Sequence, residues 1–277
     1  MSSLAELSQR LERIREISGI MTAMKSLSLV ETRKLARFIG HQRRMLDNIE
    51  AAAADFLHFF PAGGERAGSQ AMLLLIGSER GFCGNFNERV LAALHDMPQL
   101  PAAPTVVVVG RRLATKLTTH PGIFASLEGP TVTEDVPTVL DRVMDALHEA
   151  SRQLAGDGAA LFALAHDAEG NVKLTRLLPL APPEATRPPH PPRLQLAPAA
   201  FFAELLDQYL LAALYGLLYE SLAAENHQRL AHMENALNRL DETVARLAVK
   251  RNALRQEKIV EEIEVILSSE QAFGKAG

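Results

Sequence analysis

A chain of 277 residues, 47% of them hydrophobic, is long enough to bury the core of one large domain or two modest ones. Its formal charge of −4 and pI near 6.2 exclude a generalist nucleic-acid binder, which carries a basic surplus over a face. A single cysteine, Cys83, excludes an intramolecular disulfide and any multi-cysteine metal site.

The N-terminal stretch has no apolar signal core and carries Glu6, Glu12 and Glu16 where a transit peptide avoids acids, so the mature chain is expected to begin here. All fifteen prolines lie between Pro61 and Pro198. Proline in a helix interior costs about 3 kcal/mol, so the distribution predicts two long helices around a different kind of domain. The predicted boundaries are 1–60, 61–197 and 198–277. In the first helix Leu4, Leu7, Leu11 and Ile14 step by three and four, and after Ser18 the pattern resumes at Met21. From Arg10 to Arg44 nine basic residues face only Glu12, Glu16 and Glu31, which marks either a solvated face or a surface that meets an acidic partner.

In the middle, "AMLLLIG" (71–77) and "TVVVVGRRLATKL" (105–117) read as buried strands, each ahead of a helical pattern, which predicts parallel β–α units. "AALFALAHDAEGNVKLTRLLPL" (159–180) reads as two strands joined at the turn "AEGN". The proline-rich run at 179–198 predicts an extended connector.

In the last helix Leu230, Met233, Leu237, Leu240, Val244 and Leu247 alternate steps of three and four, a coiled-coil seam. Continued, the seam meets Arg251 and Lys258, as the first helix meets Ser18 and Lys25. Either the period drifts, or other chains sheathe this end of the pair. The longest apolar run, "YLLAALYGLLY" at 209–219, falls short of the roughly 18–20 residues that span a bilayer, so no membrane insertion is expected.

The turn from Gly77 to Gly84 raises a nucleotide-dependent enzyme as one alternative and a coiled-coil scaffold is another. The spacing is G-x-x-x-G-x-x-G, neither the dinucleotide nor the Walker pattern, and Asn85 and Phe86 stand where Lys and Ser/Thr are needed. Close packing is the competing reading of such a turn. Cys83 has no histidine near it in sequence, and a small, partly buried role is expected for it. His227 and His232, at i and i+5, have poor metal-ligand spacing. No catalytic, cofactor or metal residue is assigned.

Three stretches then resemble one family. "RIREISGIMTAMKSLSLVETRKLAR", with Ala23, Met24, Arg33 and Lys34, is similar to the signature helix of the gamma subunits of F-type ATP synthases. "SERGFCGNFN" resembles that family's Ser-Asp-Arg-Gly-Leu-Cys-Gly-x-x-Asn stretch. "SLAAENHQRLAHMENALNR" and "RNALRQEKIVEEI" resemble its C-terminal runs, with Asn252, Arg255, Gln256, Ile259 and Glu262 in register.

The resemblance implies a long antiparallel coiled coil of the terminal helices with a central Rossmann-like α/β domain. It implies a non-catalytic rotor that penetrates a hexamer of alpha and beta subunits and couples ion flow to ATP synthesis or hydrolysis there. Asn252, Arg255, Gln256, Ile259 and Glu262 would form a hydrogen-bonding catch against beta, and Met24 and Lys25 would lie beside an acidic loop of beta. Ile263, Val265, Ile266 and Leu267 would run in an apolar bearing. The foot would meet epsilon and the membrane c-ring, on the cytoplasmic face of a bacterial inner membrane. Glu79, Met21, Lys25, Glu31, Val260 and Ala197 depart from the family's usual residues. Such departures leave open an alternative F-type ATPase, sodium-translocating ones included.

Overall fold

The computed structural model describes residues 3–61, 70–95, 104–118, 120, 122–154, 159–180 and 190–273, with side chains through Ile266. Residues 181–189 of the expected connector lie outside the described residues. The elements are α1 (Leu4–Phe59), β1 (Ala71–Ile76), α2 (Phe86–His95), β2 (Thr105–Val109), α3 (Arg111–Lys116) and β3 (Ile123–Leu127), then α4 (Val136–Gln153), β4 (Ala160–His166), β5 (Val172–Leu178) and α5 (Pro198–Phe273). The chain divides into two compact units, Ser28–Leu230 and Met1–Leu27 with Ala231–Gly277.

In the first of these units a five-stranded sheet runs in the order β3-β2-β1-β4-β5. The pairs β1–β2, β1–β4 and β2–β3 are parallel, and β4–β5 is an antiparallel hairpin. Alternation along the strands separates two cores. Met72, Leu74 and Ile76 of β1 face Leu140 and Val143 of α4 and Leu214 and Leu218 of α5. Leu73 and Leu75 face Val90 of α2 and Leu113 of α3. Each such side chain, fully buried, contributes about 1.5–3 kcal/mol, which makes β1 the centre of the unit.

The stretch expected to be strand through residue 117 is strand only to Val109. Gly110, at φ +105°, breaks it, and Arg111–Lys116 is helical with Leu113 turned into the core. The hairpin at 159–180 forms as expected, its turn held by Asp167, whose backbone N–H and carboxylate both bond Asn171.

Within this unit α1 and α5 are antiparallel. Phe56 packs tilted against Phe201 and stacks on Phe202, with ring centroids 5.1 and 5.7 Å apart, and further along Arg43 pairs with Glu220 at 2.9 Å. Averaged over 18 residues, α5 reaches a mean hydropathy of 1.3, enough by length and composition to cross a membrane, which the count of unbroken apolar residues missed. Ala213, Leu214, Leu218 and Leu222 of this helix are instead core residues against the sheet. Glu31 ties α1 to the start of α4 by accepting from the Thr133 N–H at 3.0 Å and its hydroxyl at 2.8 Å. Burial pushes this carboxyl up, but those bonds and Lys34 outweigh it, so its pKa is lowered.

In the second unit, Ser3 and Glu6 form a reciprocal cap at the start of α1. Leu7, Leu11 and Met21 of α1 and Met233 of α5 are buried at the predicted seam spacing. The two odd seam positions of α1 are accounted for within the chain: Ser18 is half-buried, and the half-buried Lys25 donates to Glu234 of α5 at 2.9 Å. On α5 Arg251 and Leu254 are half-buried, and from Arg255 to Ile266 every side chain is exposed, Lys258 included.

Candidate functional site

The glycine turn follows β1 and is closed by the chain's own side chains. Gly77 donates its N–H to Val109, and Ser78 donates its N–H to the Asn87 amide oxygen at 3.0 Å. The Asn87 amide nitrogen and the Cys83 thiol both donate to the Ser78 hydroxyl, at 2.8 and 3.3 Å. Glu79, buried, accepts from the N–H groups of Arg111 and Gly129, each at 2.9 Å, and its other oxygen meets the Arg111 guanidinium at 3.1 Å. A carboxylate thus holds the start of α3, where an anion-binding turn would place a phosphate. The glycines serve close packing: a Cβ on Gly77 would lie 2.4 Å from the Leu113 Cβ, and one on Gly110 would lie 2.5 Å from the Gly77 carbonyl oxygen. Burial pushes the Cys83 thiol up, the opposite of what a reactive cysteine needs.

From the other side the turn is gripped by α5. Arg229 donates Nε to the Gly81 carbonyl oxygen at 3.3 Å and a terminal nitrogen to the Asn226 amide oxygen at 3.0 Å, and it forms an ion pair with Glu225. Gln228 donates to Asn85 at 3.2 Å. Burial pushes the Glu225 carboxyl up, against the pull of Arg229 and of the Arg80 and Glu79 N–H groups. The "SERGFCGNFN" and "SLAAENHQR" stretches, over 130 residues apart in sequence, are therefore two sides of one joint. Sequence reading missed this pairing; the one available signal was an acid and a base at i and i+4 inside an apolar stretch.

His227 and His232 are both exposed, and among the described residues no three His, Cys, Asp or Glu side chains are grouped to hold a metal.

The sequence-predicted contact residues fall in two places within their unit. Asn252, Gln256 and Ile259 step by four and three along α5, as do Arg255, Ile259, Glu262 and Ile266, so the two rows lie side by side on the helix, and all six residues are exposed. Asn252 accepts from the Arg251 guanidinium at 3.0 Å, and Glu262 lies 3.9 Å from Lys258. Met24 and Lys25 are on α1, half-buried. Lys25 meets α5 at Glu234, which along that helix is roughly 30 Å from Arg255 at 1.5 Å per residue. Beside the α5 face Val260, Ile263 and Val265 are 53%, 49% and 69% exposed. The side chain of Leu267 lies outside the described residues.

A family model described as ATP synthase matches residues 3–273. The ATP synthase gamma chain of Pelotomaculum thermopropionicum is 25% identical over 299 residues, covering 99% of this chain and 100% of that one. That of Rubrobacter xylanophilus is 28% identical over 292 residues, covering 99% of each. Among solved structures, a chain of the Euglena gracilis mitochondrial ATP synthase rotor superposes with a TM-score of 0.65 at 12% identity, over 92% of this chain and 98% of that one. A chain of the Tetrahymena thermophila mitochondrial ATP synthase central stalk and c-ring does so with a TM-score of 0.55 at 19% identity, over 78% and 99%. The folds agree at these identities, and the family match covers nearly the whole sequence. The chain belongs to the ATP synthase gamma family: it is a non-catalytic central-stalk subunit, peripheral within an F-type ATP synthase complex.

Proposed function

We propose that this subunit couples ion flow through the membrane sector to nucleotide turnover on an alpha/beta hexamer, with the α5 face from Asn252 to Ile266 bearing on beta. The observation that carries this reading is that every α5 side chain from Arg255 to Ile266 is exposed although Ile259, Val260, Ile263, Val265 and Ile266 are large and apolar. Such a row on a soluble surface calls for a protein partner. Arg255 and Gln256 supply hydrogen-bond donors for a catch, and the apolar positions beyond them supply a bearing surface that forms few directional bonds. Because the shaft is asymmetric, each orientation favours a different nucleotide state on each beta subunit, and each nucleotide state favours one orientation in return.

Met24 and Lys25 form a second station against beta, where basic residues of α1 meet an acidic surface and set orientation more than affinity. The sheet-bearing unit meets epsilon and the c-ring, and the complex sits on the cytoplasmic face of a bacterial inner membrane; the bacterial relatives support that location. Replacing Arg255→Ala together with Gln256→Ala tests the catch. The expected result is a several-fold loss of ATP hydrolysis by the assembled complex with normal subunit composition. Unchanged turnover and coupling would remove these two residues from the mechanism.

A further inference from the structure

A cavity of about 390 Å³ opens in the sheet-bearing unit between α1, the β4–β5 hairpin and α5. Its size is that of a small-molecule site. The floor is apolar, made of Leu46, Leu177, Ala213 and Leu217, and at Gly216 an added Cβ would meet nothing within 4 Å.

The charged lining is unbalanced: five carboxylates stand against Arg43 and Lys173. Arg43 is engaged by Glu220 at 2.9 Å and faces Glu169 at 3.9 Å, while Asp167 holds the hairpin turn through Asn171. Asp47 and Glu50, one turn apart on α1, form no ion pair among the described residues. Burial and the Asp47 charge push the Glu50 carboxyl up. From α5, Tyr209 lines the same cavity; it is 6% exposed, and its hydroxyl takes no hydrogen bond among the described residues. Although the ring is buried, the hydroxyl is open to the cavity and free to accept from a bound donor.

We propose that this cavity binds the protonated amine of a small amphipathic molecule. The ammonium donates to Asp47, Glu50 and the Tyr209 hydroxyl oxygen, and the apolar body lies on Leu177, Ala213 and Leu217. An organic ammonium fits better than a hard metal ion, because the floor is apolar and no three ligand side chains are grouped there among the described residues.

The test uses the full chain, whose three tyrosines and lack of tryptophan make tyrosine fluorescence a direct reporter alongside calorimetry. The probes are n-hexylamine and its neutral counterpart hexan-1-ol. At pH 7 hexylamine is expected to bind saturably at one site, the alcohol at least about tenfold more weakly. Asp47→Asn with Glu50→Gln is expected to remove that preference, and Tyr209→Phe to weaken amine binding. On the unmodified chain, amine affinity is expected to fall as pH is lowered, because burial and the Asp47 charge raise the Glu50 carboxyl and it takes up a proton more readily than a free carboxylate; Asp47, Asp167, Glu169, Glu220, Lys173 and His166 share the lining. No saturable amine binding, equal binding of amine and alcohol, a pH-independent affinity, or full binding by the folded double variant would each overturn the proposal.

Discussion

Arg229 on α5 donates Nε to the carbonyl oxygen of Gly81, a bond that joins the last helix to the glycine turn. With its ion pair to Glu225 it anchors α5 to the turn that follows the central strand β1. The joint lies wholly within the sheet-bearing unit, Ser28–Leu230.

Breaking it should be costly. Arg229→Ala strands the buried Glu225 carboxylate and is expected to lower stability by about 3–5 kcal/mol in urea denaturation. Replacing both partners, Glu225→Met with Arg229→Leu, is expected to cost clearly less than the sum of the single losses. Additive losses would mean that the two residues are not coupled.

The glycines separate into two classes. Gly77→Ala drives a Cβ into Leu113 and is expected to destabilise by about 1–3 kcal/mol or more. Gly40→Ala, inside α1 with nothing within 4 Å of an added Cβ, is expected to stabilise the isolated chain by about 0.5–1 kcal/mol through helix propensity. Thermal denaturation of the two variants should shift in opposite directions.

His166 is expected to make the fold acid-sensitive. Its ring is buried, stacks on Phe86 at 3.8 Å, and its nitrogens find no partner among the described residues. Burial, with the Arg89 charge, lowers its pKa to about 4. Below the unfolded value of about 6.5 the unfolded chain binds the proton first, so stability is complete above that pH and falls as pH drops toward 4. The loss is on the order of 3 kcal/mol. His166→Leu is expected to flatten this part of the profile in denaturation series from pH 7.5 to 4.5; an unchanged slope would assign the effect elsewhere.

What was legible in the sequence follows from periodicity. The terminal helices show through because proline is absent and the seam repeats by three and four from Leu4 onward. Lys25 looked anomalous in that seam because its partner, Glu234, is 209 residues away. Residues 111–116 blurred into the preceding valine run, since a six-residue helix has too few turns to show a period. α4 carried a clear stripe, Val136, Val139, Leu140, Val143 and Leu147, that the reading passed over. β3, a five-residue edge strand with no fully buried position, offered little to read. The glycine turn was read correctly as a packing site, but the carboxylate of Glu79 that fills its anion position comes into place only through the fold.

The most direct test of the rotor account is native mass spectrometry of the complex purified gently through a tag on this chain. The account predicts a single copy of it with a full alpha/beta hexamer, and with epsilon and c subunits alongside. A discrete homo-oligomer without those subunits would contradict it.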